Sequence, residues 1–584
     1  MNWNLKLIYS SIDEYNKDFE SLDSMVKELE SYKGKLKDKE VFKAYLNLYK
    51  ELNIKVEKLY VYAHLGHDQN QKDVENTRLL AKIAQKYAGI ATKLAFAEPE
   101  FLSIGYDTIK EYLKDGLDEY SFYFESLFRQ QQHVLTAKEE EMMSNFNDAG
   151  RVYNELYDKL TIVDGHDEAV TLSTGEKINV SVSNFTYYLG VLDNPSDRTL
   201  VFEAVYKYLF DHKTTLAAIY EGIMKMEYAN AKERGYKSCL EAKLDRENIP
   251  LEVYTSLMNT ARENTALLKR YYELRKKYFK LDKIRTYDRF LKFRKSEKNY
   301  SYQEAKQLVL KALETMGPDF VKRAEFCLSD GRVDVEIKDG KRNGAYSSGT
   351  YTNGPFILLN HNGNLSDTFT IAHECGHSIH TTYANDTQEY FNANYSIFVA
   401  EVASTFNEAR FLDYLMEVEK DKNEKIVLLQ QAIDNICSTF YRQTLFATYE
   451  YEAHKLLEEG HPIDADSLSN IMKQLYKDYY DIDLNDERYK EMVFAYIPHF
   501  YHTPFYVFQY ATSFSASQSI YLDVKNKKPN AFDNYINLLK SGGSNYPVKL
   551  LQNAGCDLTK PEPFKAVVTR MNELLDALED LLKN

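Results

Sequence analysis

"TIAHECGHSIH", residues 370–380, places three of the chain's 13 histidines within eight positions and sets Glu374 directly after the first of them. At this composition a His-acid-x-x-His string is expected roughly 0.04 times per chain, so the match is informative and geometry has to carry the rest. If the stretch is helical, His373 and His377 stand at i and i+4 and project from successive turns on one side, as two imidazoles sharing a tetrahedral Zn²⁺ must. Ser366 or Asp367 can cap such a helix, and Ile371, Cys375 and Ile379 give it a face to bury. Gly376 costs roughly 1 kcal/mol relative to Ala within a helix, which predicts a close approach to the backbone there. Glu374 lies about 100° around the axis from His373, too far to join the ligand set but placed to reach a water on the metal, as metal-assisted hydrolysis requires.

His380 returns to the same face at i+7 but sits roughly 4.5 Å beyond His377 along the axis. An ion held between His373 and His377 is better completed from elsewhere. The segment "SIFVAEVASTFNEARFLDYL", residues 396–415, supplies the candidate. Phe398, Val402, Thr405, Ala409 and Leu412 form a helical stripe, with Glu401 and Glu408 on a second stripe beside it. Carboxylates in so apolar a segment need partners, and a metal and a ligand histidine supply them. Glu401 is therefore expected as the third ligand and Glu408 as the acceptor that steadies a histidine N–H.

This arrangement, with "FVAEVASTFNE" downstream of the histidines, resembles the M3 family of zinc peptidases (thimet oligopeptidase-like), in particular its oligoendopeptidase F branch. The similarity extends along most of the chain, through "NWNLKLIY" at the start, "FAEPEFL" at 96–102, "GAYSSGTY" at 344–351, "IPHFYHTPFYVFQYATS" at 497–513 and "LKSGGSNYPVKLLQNAGCD" near the end. The resemblance implies one zinc ion per chain on His373, His377 and Glu401, with Glu374 as general base. It also implies a mainly α, zincin-like fold of two helical lobes around a deep channel, with a small β-sheet near the active site. Cys375 departs from the family pattern, where the residue is often apolar; a thiol there suits a buried face but is open to oxidation.

Composition fits an intracellular enzyme. The net charge of −15 argues against a nucleic-acid surface. Five cysteines show no paired or C-x-x-C spacing, so neither a disulfide framework nor a thiolate metal site is expected. "MNWNLKLIYSSIDEY" lacks the apolar core of a secretory leader and no run approaches membrane-spanning length, so the expected location is cytoplasmic.

Along the chain, the first 160 or so residues are charged, poor in Pro and Gly, and helical in period. "AVTLSTGEKINVSV" at 169–182 alternates around Thr174-Gly175 and predicts a β-hairpin. The expected division is an N-terminal helical lobe over 1–185, ending in this hairpin, and a catalytic domain over 186–584. A second β-rich block, "VDVEI", "GAYSSGTY" and "PFILLNH" within 333–361, directly precedes the metal helix and should lie close to the metal. A free strand edge there can hold an extended peptide by main-chain hydrogen bonds.

The segment 495–510 concentrates Tyr496, His499, Tyr501, His502, Tyr506 and Tyr510. Hydrolysing an amide builds negative charge on the carbonyl oxygen, and a donor aimed at it lowers the barrier by roughly 3 to 4 kcal/mol. Family resemblance favours His499, Tyr506 and Tyr510 as substrate-facing donors, with His502 the rival to His499. Gly344 to Tyr346 and Arg442 are further candidates for substrate contact or structural support. The expected activity is endopeptidic hydrolysis of short, unstructured oligopeptides. The alternatives are a dipeptidyl carboxypeptidase on the same scaffold and a non-catalytic peptide-binding protein with a structural zinc.

Overall fold

The computed structural model describes residues 2–583, and the chain is predominantly helical. Two compact units emerge, each assembled from three separate stretches: Met1–Gln132, Glu297–Glu417 and Ile520–Cys556 in one, His133–Ser296, Val418–Ser519 and Asp557–Asn584 in the other. The division at residue 185 drawn from the sequence falls within the second unit, because compactness here follows contacts between distant segments rather than chain order.

The first unit is built on long amphipathic helices, Ile12–Ser31, Lys39–Gln69 and Val74–Leu94, whose first amides are accepted by the side chains of Ser11, Asp38 and Asp73. Their buried faces, including Tyr15, Leu22, Phe42, Leu59 and Ile83, share one core with Phe356 and Leu358 from a small sheet. That sheet consists of β3 (Val333–Asp334), β4 (Tyr346–Thr350) and β5 (Gly354–Leu358) in the order β3-β5-β4. β3 runs parallel to β5 and β4 antiparallel to it, so the β-rich block of the sequence is one sheet with β4 at an edge. The N-terminus locks onto the sheet: Trp3 Nε1 donates to the Ile357 carbonyl at 2.8 Å, and Asp68 accepts from the Tyr346 hydroxyl at 2.8 Å and from Arg342 at 3.1 Å.

From β5 the chain enters the helix Leu365–Thr387, which carries the His-Glu-x-x-His stretch. Its cap is Asn364, whose side chain accepts from the Asp367 amide, two residues before Ser366 and three before Asp367, the caps expected from the sequence. Asp367 is instead the residue whose carboxylate accepts from the Asn362 amide at 2.6 Å, tightening the entry into the helix. A second helix, Ile397–Val418, carries Glu401 and Glu408 and is buried over most of its surface.

The second unit contains the expected hairpin, β1 (Glu168–Thr171) antiparallel to β2 (Lys177–Val180), turned at Gly175 with φ 85°. Helices dominate the rest, among them Arg442–Glu458 and Ala465–Tyr480. The aromatic stretch at 495–510 is not one helix. Pro498 and Pro504 break it into the single turn His499–His502 and a loop that leads into the helix Phe508–Lys525. Within that loop Phe505 adopts φ 54° and its amide donates to Glu450 Oε1 at 2.7 Å. No helix among the described residues is long and apolar enough to cross a membrane.

Candidate active site

His373, His377 and Glu401 converge on one point: one ligand atom from each lies within 4.8 Å of the others. The Nε2 atoms of His373 and His377 are 3.2 Å apart, and Glu401 oxygens lie 3.4 Å from the first and 3.8 Å from the second. Ligand atoms about 2.0–2.1 Å from a tetrahedral metal stand roughly 3.3 Å from one another, so these spacings fit such an ion. The other ring nitrogen of His373, Nδ1, is hydrogen-bonded to Glu408 Oε1, which fixes the ring and leaves Nε2 directed at the common point. Ser404 Oγ donates to Glu401 Oε2 at 3.1 Å and orients the third carboxylate.

The two helices can present these groups together because Gly376 lies against the backbone of Ala403 and Ser404. Asn407 reinforces the junction, its Nδ2 donating to the Ala372 carbonyl at 3.3 Å.

Glu374 stands outside the converging group and is 6% exposed. Its Oε2 has no hydrogen-bond partner among the described residues, an orphaned buried acceptor of the kind a held water satisfies. Burial pushes its carboxyl up to about 7; the charge of His373 and the Ser347 amide pull the other way, while Glu401 and Glu408 add to the rise. β4 lies directly against this helix, with Ser347 Oγ 2.8 Å from Ser378 Oγ.

The histidines are electrostatically unequal. Burial disfavours a proton on His373, yet the hydrogen bond and charge of Glu408, with the charges of Glu374 and Glu401, hold it up at about 9. Burial and then the charge on His373 push His377 down to about 4. The bare pair therefore holds one proton, and a metal that enters must displace it.

His380 is outside the converging group. Burial lowers it to about 3, both ring nitrogens lack partners, and the ring stacks on Tyr395 with centroids 3.6 Å apart. Cys375 is fully buried, and burial raises its thiol well above the ordinary range.

In the second unit, His499, Tyr506 and Tyr510 gather into one aromatic cluster. His499 Nε2 is 3.5 Å from the Tyr510 hydroxyl, and its ring lies 6.0 Å from that of Tyr506 in parallel orientation. His502 turns away, its Nε2 paired with Asp158 Oδ1 at 2.8 Å. Tyr501 is buried, stacked on Tyr157 at 3.8 Å. Ser347, Ser404 and Asn407 were not singled out from sequence; single polar residues without periodicity carry no signal until the fold brings them in.

A mainly helical chain with a histidine pair, a convergent carboxylate and a buried glutamate beside them defines a metallopeptidase of the zincin class. The model of peptidase family M3 matches residues 191–569, and that of the oligopeptidase F N-terminal region matches residues 100–164. The chain belongs to peptidase family M3, in its oligoendopeptidase F branch. It is 35% identical over 589 aligned residues to oligopeptidase PepF of Bacillus subtilis, covering 99% of this chain and 87% of that protein. A structure from Chlamydophila abortus superimposes with a TM-score of 0.92 at 30% identity, over 99% of this chain and 98% of that one. Oligoendopeptidase F from Enterococcus faecium gives a TM-score of 0.73 at 27% identity, over 98% and 99% of the two chains.

Proposed function

We propose that this protein is a zinc-dependent endopeptidase that cuts internal bonds of short, unstructured oligopeptides. One observation carries the reading: three ligand atoms converge within 4.8 Å, and the adjacent Glu374 keeps a buried oxygen without a partner. Three protein ligands leave one tetrahedral position for water or substrate, whereas a structural zinc is closed by four.

His373, His377 and Glu401 would hold the ion, and Glu408 keeps His373 in the tautomer that offers Nε2. A bound Zn²⁺ supplies Lewis-acid polarisation of the scissile carbonyl and acidifies a water. Glu374 accepts the proton of the attacking water and returns it to the leaving amine. His499, Tyr506 and Tyr510 supply N–H and O–H donors suited to the carbonyl oxygen as it gains charge. The edge of β4 offers backbone groups to a substrate in extended form, a mode that tolerates many side chains.

The test is incubation of the purified protein with a mixed peptide library, with and without a chelator, followed by mass spectrometry and zinc restoration. Internal cleavage of both free and C-terminally amidated peptides, abolished by chelation and restored by zinc, is expected. Release of C-terminal dipeptides from free peptides only would replace this reading with a dipeptidyl carboxypeptidase.

A further inference from the structure

The second unit buries Arg198 and Arg275, each held by several acceptors, though Arg198 Nη2 and Arg275 Nε make no hydrogen bond among the described residues. Arg198 meets Asp288 at 2.9 Å and two backbone carbonyls; Arg275 donates to three carbonyls and to the Tyr271 hydroxyl. Three other cations in this unit, Arg289, Arg442 and Lys490, break the pattern.

Lys490 is 2% exposed, yet its ammonium has neither an ion pair nor a side-chain hydrogen bond among the described residues. It lies over three rings, at 5.4 Å from Phe202, 5.1 Å from Tyr206 and 5.4 Å from Tyr476. Arg442 lies 4.8 Å over Phe446 with its Nη1 buried and unpartnered. Arg289 rests 4.5 Å over Phe290, and its guanidinium likewise has no acceptor among the described residues. The three act on one another: burial and then the charges of Arg442 and Arg289 push Lys490 well below its ordinary range. Glu487 is the carboxylate that acts on Lys490, but its oxygens accept from the Thr286 amide and hydroxyl, both at 2.7 Å. Tyr206 and Tyr476 feel both arginines, and their hydroxyls make no hydrogen bond among the described residues.

The cluster thus offers two guanidinium forks, an ammonium and tyrosine hydroxyls, against one carboxylate, Glu487, whose oxygens accept from Thr286. Three cations, Lys490 buried and Arg289 and Arg442 half-buried, repel one another with the single carboxylate of Glu487 to offset them, and the penalty falls further if Lys490 gives up its proton or an anion enters. Planar guanidinium groups match carboxylate and phosphate oxygens in paired geometry. We propose that Arg289, Arg442 and Lys490 form a binding site for a small oxyanion. The oxyanion can be free, such as inorganic phosphate, or the terminal carboxylate of a peptide, and this inference does not depend on the reading of the metal site.

The experiment is thermal unfolding of the full-length protein, as purified with its metal, in phosphate against chloride at equal ionic strength. A parallel pair uses a dipeptide, too short for endopeptidic cleavage, with a free or an amidated C-terminus. At saturation the binding anion should raise the Tm by about 2 °C or more. Phosphate alone acting identifies a free oxyanion; the dipeptide acid acting without its amide identifies a peptide terminus. Lys490→Met and Arg442→Met should each abolish the shift, and Lys490→Met should unfold no earlier than wild type in anion-poor buffer, since it removes the repulsion. An equal effect of chloride, no effect of either oxyanion, or a shift that survives both substitutions overturns the proposal. Crystals of the wild-type protein equilibrated with selenate give a readout independent of the variants: anomalous density within hydrogen-bond reach of Lys490 Nζ and Arg442 is expected, and its absence at saturation overturns the site.

Discussion

Gly376 and Ala403 touch backbone to backbone: a Cβ placed on Gly376 would stand 2.6 Å from the Ala403 carbonyl oxygen and 2.6 Å from Ser404 Cα. Two helices carrying the candidate ligands are thereby held in close main-chain contact. Replacing Gly376 by Ala favours the helix by about 1 kcal/mol, but the atoms it meets are backbone and cannot swing aside. Overpacking of this kind costs about 1–3 kcal/mol, so the clash wins. Gly376→Ala should lower both the Tm and the zinc retained after dialysis against a weak chelator. Unchanged zinc retention would show that this contact does not set the ligand spacing.

Glu408 is bonded to the ligand histidine and not to the point of convergence. Removing it leaves all three ligands but frees the ring of His373. For Glu408→Ala, zinc affinity should fall about 10- to 100-fold while saturating zinc restores most of the activity. His373→Ala, His377→Ala and Glu401→Ala should not be rescued in this way. Competition titration with a chromophoric chelator separates the two behaviours, and wild-type affinity in Glu408→Ala would remove Glu408 from the metal site.

Proton transfer and metal binding separate at Glu374. Glu374→Gln keeps the shape and loses the base, so zinc content should stay near normal while kcat falls by at least about 100-fold. The wild-type pH profile carries the matching signature. The base must be ionised to work, and burial sets its carboxyl at about 7 in the metal-free arrangement. A bound cation favours the carboxylate and lowers that value. The acid limb of kcat/KM should therefore lie at or below pH 7, with activity rising as pH increases through it. A Gln variant that retains most of its turnover would sink the mechanism.

Local periodicity made much of this site legible. The i, i+4 spacing of His373 and His377, the adjacent stripe of Glu401 and Glu408, and the hairpin around Gly175 are short-range patterns, and the structure realises each of them as an element. Gly376 was readable because glycine within a helix needs a reason. Contacts from distant chain left no such trace: nothing in "GAYSSGTY" marks Ser347 as a neighbour of the metal helix, and nothing in "YDRF" or "YKEM" pairs Arg289 with Lys490. The cap shifted from Ser366 or Asp367 to Asn364 because three residues within four positions could each serve, and Asp367 was drawn to the Asn362 amide. Division into units also escaped the linear reading, since each unit is stitched from three stretches.

The aromatic cluster of the second unit is tested by removing single donors. Tyr506→Phe and Tyr510→Phe keep the ring and delete one hydroxyl, and a donor to the developing oxyanion should cost about 10²- to 10³-fold in kcat with little change in KM. His499→Ala should fall in the same class, whereas His502→Ala, which loses a contact to Asp158, should change kcat little. Wild-type rates in all three variants would assign the cluster to packing.

Glu450 gives the protein a pH dependence that is independent of catalysis. It is fully buried in the helix Arg442–Glu458, accepts the Phe505 amide at 2.7 Å, and leaves Oε2 without a partner among the described residues. Burial raises its carboxyl from 4.5 to about 8, with Glu227 adding to the rise and the Phe505 amide and Lys243 opposing it. Between those values the folded chain holds a proton that the unfolded chain has released. By linkage this contribution is fully present below pH 4.5 and is lost as pH rises through about 8, so stability should decline across that window. His454, one turn away and lowered to about 4 by burial, acts in the opposite sense, weakening the fold as pH drops below 6.5. Glu450→Gln keeps an acceptor for the Phe505 amide and cannot titrate. Its Tm should therefore fall less than that of wild type between pH 5 and 8, with the difference greatest above pH 8. Thermal unfolding of both proteins across this range decides the matter: a constant offset between the two curves would mean that Glu450 is ionised in the folded state throughout, and that the unpartnered oxygen is satisfied in some way that the free carboxylate prefers.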